Sequence, residues 1–482
     1  MLFNSLSFAI FLPIVFILYW VIGSAKLRSQ NVLLIVSSYY FYACWDWRFL
    51  FLLVFSTLLD FYSGVKISKA NGQFSKKTWL FISIVINLGI LGVFKYYNFF
   101  SSSFADALSL LGVKVNMSSL EVILPVGISF YTFHGLSYVI DIYYNKIDYE
   151  KDFINYSLFV SFFPLLVAGP IERATHLLPQ IVKKREFNYG SAVDGLRQIL
   201  WGLFKKIVIA DNCAEYANMI FNNSADYNGS TLFLGALFFT FQIYGDFSGY
   251  SDIALGTARL FGIELLRNFA YPYFSRDIAE FWRRWHISLS SWFRDYLYIP
   301  LGGSKFGKRK AVRNTFIIFI VSGFWHGANW TFIFWGLLNA LFILPSILAN
   351  KNRLNIEIVA KGKHLPTWKE FFSIAITFLI TVFAWIFFRA NSLTHAFNYI
   401  SGIFSSSFFS IPIFNERFLA LQTFGLIFIF MAIEWLGREN PYALANLGLK
   451  WHVVLRFSVY YLIIFSLYWY SGKEQQFIYF QF

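Results

Sequence analysis

Apolar segments of about membrane-spanning length recur along nearly the whole 482-residue chain. Hydrophobic residues make up 57% of the chain and charged residues only 14%, whereas soluble domains carry about 25% charged residues. The mean hydropathy is +0.54, and 22% of the residues are aromatic. A soluble fold cannot hide that much apolar surface, but a bilayer can. The sequence therefore predicts an all-α polytopic membrane protein. No long polar stretch is present for a separate soluble domain, so we expect one membrane domain over residues 1–482.

The apolar segments vary in length around the roughly 20 residues that one crossing needs. Because several are too short or too long for one simple crossing, we expect roughly 10 to 12 spans together with re-entrant and interfacial helices. The candidate segments are 5–23, 31–45, 48–64, 78–98, 122–142, 155–170, 196–220, 231–261, 313–345, 371–388, 419–437 and 452–471.

The net charge of +14 comes from 40 Lys and Arg against 26 Asp and Glu. These basic residues lie in short loops between apolar segments, which is the positive-inside pattern and requires no nucleic-acid partner. They are dense between Arg267 and Arg313, a region we place at the cytoplasmic surface. The segment 313–345 thus starts and ends on one side, so it either dips in and returns or makes two short passes.

A polar cluster interrupts that apolar segment at residues 322–330. On a continuous helix, Ser322, His326 and Asn329 would share one face. Ionisable groups inside apolar membrane segments are costly and mark functional sites by default. A neutral imidazole here could take a proton from an incoming hydroxyl, with Trp325 beside it. The alternative is a histidine that only bonds a carbonyl and packs helices.

A second cluster spans residues 280–296, where aromatic and leucine side chains recur at helical spacing and arginines lie opposite. The pattern predicts an amphipathic helix at the membrane interface, with tryptophans such as Trp285 facing acyl chains. One interpretation is that this helix only anchors the protein to anionic lipid. The other is that His286 faces a tunnel mouth, where Arg283 and Arg284 attract an anionic donor such as coenzyme A.

Other polar residues in apolar surroundings have structural interpretations. Asp246 and Asp252 are expected to kink a helix or pair with buried arginines, and Glu172 follows a helix-breaking Gly-Pro pair. His134 is a weaker candidate for chemistry. The sequence contains no metal-ligand cluster and no phosphate-binding loop.

Several segments in order resemble the membrane-bound O-acyltransferase family, in its bacterial alginate O-acetyltransferase-like branch. The resemblance covers essentially the whole chain. It rests on Gly169-Pro170, Tyr244–Asp252, Phe281–His286, Asp295–Gly303, Trp325–Trp330 and the terminal Tyr479–Phe482.

The resemblance implies a ring of tilted helices around a central tunnel, with a catalytic core near residues 120–345. His326 matches the family's catalytic histidine, and His286 matches its second active-site position. The residues expected to contact substrates are Trp325, Asn329, Trp285, Arg283 and Arg284.

It also implies that no cofactor or metal is bound permanently and that acetyl-CoA is the acyl donor. The acceptor would be an extracytoplasmic polysaccharide, and an SGNH-type acyltransferase partner would complete the transfer. The location would be the bacterial inner membrane, in contact with membrane lipid.

Two alternatives remain at this point. A polysaccharide or lipid transporter would also explain many spans and buried carboxylates, but it predicts internal symmetry that the sequence does not display. The other is an acyltransferase acting on a protein or lipid acceptor.

Overall fold

The computed structural model describes residues 1–22, 26–113, 115, 119–120, 123–167, 169–414, 416–472 and 475–478. Every regular element in these ranges is helical, so the predicted all-α class is confirmed. The terminal motif Tyr479–Phe482, used above for the resemblance, lies outside the described residues.

Five of the described helices are long and apolar enough to cross a membrane: Arg48–Lys69, Gln73–Leu110, Trp330–Leu348, Trp368–Arg389 and Arg417–Gly437. Two shorter apolar helices cover Leu6–Val21 and Val453–Trp469. The protein is therefore a polytopic membrane protein. The larger count of spans, the ring and the tunnel stay predictions.

The chain forms two compact units, and each is described by itself. The first comprises Met1–Ala192 and Thr257–Leu266. Its helices are α1 (Leu6–Ile22), α2 (Leu27–Asp46), α3 (Arg48–Lys69), α4 (Gln73–Leu91), α5 (Tyr97–Leu110), α6 (Ile128–Tyr143), α7 (Phe153–Ser161), α8 (Phe163–Leu166) and α9 (Ala174–Ile181). A π-helical turn at Gly92–Tyr96 joins α4 to α5.

The second unit comprises Val193–Gly256 and Arg267–Phe482. The remaining helices are α10 (Tyr189–Leu203), α11 (Asn212–Asn222), α12 (Gly229–Leu260), α13 (Ile278–Arg284), α14 (Ile287–Phe293), α15 (Lys308–His326), α16 (Trp330–Leu348), α17 (Trp368–Arg389), α18 (Leu393–Ile403), α19 (Arg417–Gly437) and α20 (Val453–Trp469). The boundaries between the two units along the chain fall near the start of α10 and near the end of α12.

The segment 313–345 consists of two helices, α15 and α16, that reverse direction at residues 327–329. Each has 19 residues, or roughly 28 Å, which is close to the hydrocarbon thickness of a bilayer. Of the two, only α16 is among the helices found apolar enough to cross a membrane, so the choice between a dip and two short passes stays a prediction. Two glycines permit close packing of α15 against α16. A Cβ atom added at Gly323 would lie 2.2 Å from the Phe332 carbonyl oxygen, and a Cβ atom added at Gly336 would lie 2.2 Å from the Phe319 carbonyl oxygen.

Helix α12 runs continuously for 32 residues through the Tyr244–Asp252 segment. Its carboxylates pair with lysines of the π-helical turn that follows α10. The Lys206 Nζ lies 2.9 Å from Asp246, and the Lys205 Nζ lies 2.5 Å from Asp252. The expected arginine partners were wrong, because both carboxylates pair with lysines, and these ion pairs fit the expected structural role.

Candidate active site

The predicted amphipathic helix over residues 280–296 is broken at its histidine. α13 ends at Arg284 and α14 begins at Ile287, while His286 between them has φ 45° and ψ 55°. A non-glycine residue in this left-handed region costs about 1–3 kcal/mol and persists only where its surroundings impose it. The single interfacial helix was therefore a wrong prediction, because helical spacing alone does not reveal such a break.

A neighbouring segment of backbone imposes this conformation. The Ala270 amide donates to the Arg284 carbonyl at 2.9 Å, and the Ile287 amide donates to the Asn268 carbonyl at 2.9 Å. These two bonds hold the chain on either side of His286. The His286 ring is fixed as well, because its Nδ1 lies 3.1 Å from Oδ1 of Asn268.

The tryptophans of this region face protein rather than acyl chains. Trp285 is 1% exposed and Trp292 is 7% exposed. The Trp285 ring lies 5.0 Å from that of Trp385 and 5.1 Å from that of Phe269, centroid to centroid. The expectation that these tryptophans face lipid was wrong, since Trp285 belongs to an aromatic core around the histidine and Trp292 packs against Phe293 and Tyr296.

His326 is the last residue of α15. Its ring packs against three aromatic rings, with centroid distances of 4.9 Å to Trp325, 5.2 Å to Trp335 and 5.3 Å to Phe388. Because the helix ends here, the predicted shared face of Ser322, His326 and Asn329 was wrong.

The fold brings His286 and His326 together. Their ring centroids lie 6.5 Å apart, and Trp325 contacts both rings, at 6.1 Å from His286. Both histidines are buried, at 1% and 4% exposure. Burial lowers the pKa of His286, which lies outside the candidate spans, to about 3, so its imidazole is neutral across the physiological range.

Asn329 does not lie on the helix that ends at His326. It is the N-cap residue of α16. Its Oδ1 accepts the Thr331 amide at 3.0 Å, and its Nδ2 donates to the Asn391 carbonyl at 3.1 Å. A role for Asn329 in substrate binding therefore stays a prediction, and its observed contacts are those of a helix cap.

The two arginines predicted to attract the donor have different surroundings. Arg284 forms an ion pair with the buried Glu280 at 2.7 Å. Arg283 donates to the carbonyls of Asn352 and Asn355 at 2.7 and 2.9 Å. Only Arg283 of the two lines the basic cavity described next.

The basic cavity, as we call it, lies between the α13–α14 region and the α15–α16 hairpin. Its volume is about 620 Å³, within the range of ligand pockets. Its basic lining residues are Arg283, Arg294, Lys308 and Arg353. Trp282, also in its lining, lies 5.5 Å from Trp335, the ring that contacts His326. Trp282 and Trp335 thus lie between the cavity and His326.

His134 and Glu172 belong to the first unit, where they contact each other. The Glu172 amide donates to Nε2 of His134 at 3.1 Å, and the Glu172 carboxylate lies 2.8 Å from Nδ1 of His176. Glu172 also accepts the Leu266 amide at 2.6 Å. These contacts fit the structural role expected for Glu172.

Sequence reasoning missed three residues of the site: Asn268, Trp335 and Phe388. Asn268 and Phe388 are separated in sequence from the histidine that each contacts, whereas Trp335 lies on the helix that follows His326; none stands out by composition. Among the described residues, no group of three or more His, Cys, Asp and Glu could hold a metal ion.

The structure is that of a polytopic membrane protein that buries two histidines side by side. The family model of the membrane-bound O-acyltransferases matches residues 144–389, a range that includes both histidines. The chain belongs to this family, and it is an O-acyltransferase.

Several relatives show where it falls within the family. It is 36% identical to a probable alginate O-acetylase of Pseudomonas aeruginosa, over 92% of this chain and 82% of the relative. It is 36% identical to a peptidoglycan O-acetyltransferase of Helicobacter pylori, over 84% of this chain and 80% of the relative. Identity to a teichoic acid D-alanyltransferase of Bacillus subtilis is 29%, over 56% of this chain and 70% of the relative. The bacterial branch predicted from the motifs is confirmed.

Proposed function

We propose that this enzyme transfers an acetyl group from acetyl-CoA to hydroxyl groups of an extracytoplasmic polysaccharide, with His326 and His286 at the reacting centre. The observation that carries the proposal is the pair of buried histidines, 6.5 Å apart, in a chain related to two kinds of glycan O-acetyltransferase. An acyltransferase acting on a protein or lipid is the alternative within the same class.

In the proposed reaction, His326 accepts the proton of the acceptor hydroxyl as that oxygen attacks the thioester carbonyl. The tetrahedral intermediate then collapses, the carbon–sulfur bond breaks, and the thiolate takes the proton from the His326 imidazolium. A positioned group of this kind contributes about 10²- to 10⁴-fold to the rate. A route through an acyl-histidine would use the same residue as nucleophile.

The basic cavity is the proposed site for the donor. Its arginines and lysine suit the phosphate groups of coenzyme A, because guanidinium groups bind phosphate oxygens with matching geometry. The thioester end would reach His326 past Trp282 and Trp335. Trp325 lies against both histidine rings and would contact the acyl group.

The aromatic wall around His326 supports acetyl as the transferred group. Trp325, Trp335 and Phe388 all lie within 5.3 Å of its ring, centroid to centroid. A two-carbon group needs less space beside the imidazole than a long chain does. The relatives named as O-acetyltransferases agree with this assignment.

The extracytoplasmic acceptor implies that the acyl group crosses the membrane. We propose that an SGNH-type partner outside the cytoplasmic membrane completes the transfer, and that the enzyme resides in a bacterial inner membrane. Arginine and lysine density around the basic cavity supports a cytoplasmic donor side, following the positive-inside rule.

The test uses the purified protein together with its proposed SGNH-type partner in lipid nanodiscs with acetyl-CoA. Wild-type protein should release free coenzyme A thiol when acceptor polysaccharide is present, and Arg353→Glu should raise the KM for acetyl-CoA because it reverses an exposed charge of the basic cavity. Lys450→Glu is the matched control, since Lys450 is exposed and lies outside that cavity. Equal KM values for the two variants would contradict the proposed donor site. Release of coenzyme A with only lipid or protein acceptors would contradict the proposed glycan acceptor.

A further inference from the structure

Asn268 lies at the centre of the contacts that hold His286. It is 1% exposed, and the segment that contains it runs beside the break between α13 and α14. Its carbonyl accepts the Ile287 amide at 2.9 Å. Its side-chain Oδ1 lies 3.1 Å from His286 Nδ1 and 3.0 Å from the Ser288 hydroxyl. One residue thus contacts three consecutive residues around the strained histidine.

The Asn268 amide also has a hydrogen-bond partner at its other end. Its Nδ2 donates to Oγ of Ser251 on α12 at 3.1 Å. With the amino group directed at Ser251, the amide oxygen is directed at His286. An amide oxygen only accepts hydrogen bonds, so the His286 Nδ1 must carry the proton.

The groups beyond Asn268 are charged, but they are paired. Ser251, Asn268, Lys205 and Asp252 line a polar cavity of about 20 Å³, the space of about one water molecule. Lys205 pairs with Asp252, and Glu434, which also lines the cavity, accepts the Tyr244 hydroxyl. Arg267, Tyr271 and Tyr442 complete the ionisable lining.

A neutral amide therefore stands between these charges and His286. The nearest titratable group on the other side of the ring is His326. A carboxylate in the place of Asn268 would stabilise the His286 imidazolium, whereas an amide does not.

We propose that Asn268 is a positioning residue that fixes His286 as the neutral Nδ1–H tautomer, so that His286 presents Nε2 to the substrates as a hydrogen-bond acceptor. This proposal rests on the acyl transfer proposed above. It assigns His286 to orienting the acceptor through a hydrogen bond from a second, non-reacting hydroxyl, because the proton of the reacting hydroxyl passes to His326. An oxyanion contact would instead need a proton on Nε2.

Activity variants test the positioning role. Asn268→Ala should lower kcat about tenfold to hundredfold and leave the KM for the donor nearly unchanged. This loss is no larger than the lower end of the about 10²- to 10⁴-fold that a positioned acid–base group supplies, because the histidine itself remains. Asn268→Asp keeps the size and the acceptor atoms, but it should raise the pKa of His286 by about 1–3 units. The acid limb of its pH–kcat profile should then move to higher pH by a similar amount. A wild-type profile for Asn268→Asp would contradict the proposal.

A spectroscopic measurement is independent of catalysis. Nitrogen-15 NMR of histidine-labelled wild-type protein in lipid, with the His286 resonances assigned by their loss in His286→Gln, should show a protonated Nδ1 and an unprotonated Nε2. A protonated Nε2 in the wild type would overturn the proposal even if Asn268→Ala fails to fold. If transfer activity is absent but the Nδ1–H tautomer is found, the proposed function fails while the role of Asn268 in fixing the ring stands.

Discussion

The imidazole rings of His286 and His326 lie with their centroids 6.5 Å apart, although one sits in a break between two short helices and the other ends a long one. Each ring is held differently. His286 is fixed by a hydrogen bond to Asn268, and His326 is enclosed by aromatic rings. This asymmetry suits two roles, with one histidine orienting a substrate and the other moving a proton.

The aromatic wall beside His326 should set the length of the acyl chain. Trp335→Leu would open space next to the His326 ring, and each methylene accommodated in an apolar pocket is worth about 1–3 kcal/mol. The ratio of kcat/KM for propionyl-CoA over acetyl-CoA should therefore rise by about tenfold or more. Trp385→Leu is the control, because Trp385 is equally buried but packs on Trp335 and not on the histidine. Equal ratios in both variants would argue against this wall as the determinant.

The α15–α16 hairpin should depend on its glycines. Gly323→Ala would place a Cβ 2.2 Å from the Phe332 carbonyl oxygen, which is backbone and cannot move aside cheaply. Overpacking of this kind typically costs about 1–3 kcal/mol, so the thermal midpoint in detergent should fall. Gly425→Ala within α19 is the control, because no described atom lies within 4 Å of its added Cβ and alanine favours helix by about 1 kcal/mol. A midpoint for Gly323→Ala at or above the Gly425→Ala value would contradict the packing.

The His176–Glu172 pair should make the stability of the first unit depend on pH. The hydrogen bond that Nδ1 of His176 donates to the Glu172 carboxylate raises the pKa of His176 above its ordinary value of about 6.5. The stabilisation is then fully present below pH about 6.5 and is lost as pH rises through the raised pKa. Since His176 is 36% exposed, the effect should be at most about 1 kcal/mol.

Thermal unfolding of wild type and His176→Gln at pH 5.5 and pH 8.5 checks this dependence. The wild type should be more stable than the variant at the lower pH, and the gap should shrink at the higher pH. A gap that is the same at both pH values would show that the pair adds no proton-linked stability.

His286 should have the opposite pH dependence, because burial lowers its pKa to about 3. The unfolded chain binds a proton near pH 6.5 and the folded protein does not, so stability is lost as pH falls from about 6.5 towards 3. The wild type should therefore lose stability relative to His286→Gln over this interval, as measured by thermal unfolding in detergent. A constant difference from pH 7 to pH 4 would mean that His286 can charge within the folded protein.

The sequence predicts the helical membrane class because hydropathy is set by composition, and it predicts both histidines because polar groups in apolar surroundings are conspicuous. It does not predict the break at His286, since the residues of α13 and α14 continue one helical pattern and the break is imposed by the backbone near Asn268. Asn268 and Phe388 could not be found for a similar reason. They reach the site through tertiary packing, and neither carries a local motif.

The wrong prediction for the tryptophans has the same cause, because tertiary packing decides what they contact. A stripe that contains Trp285 and Trp292 can face lipid or a protein core, and helical spacing does not distinguish the two. The partner of Asp246 was likewise expected to be an arginine, and only the fold identifies it as Lys206.

The central claim is that His326 is the general base of acyl transfer to a surface polysaccharide. The most direct test compares the O-acetyl content of extracted polysaccharide from cells that carry wild type, His326→Ala or His452→Ala at matched membrane abundance. His452 is an exposed residue at the start of α20 and is the matched control. Loss of O-acetylation in His326→Ala alone, with the protein folded and inserted, is the result that this account predicts. O-acetylation at the wild-type level in His326→Ala would contradict it.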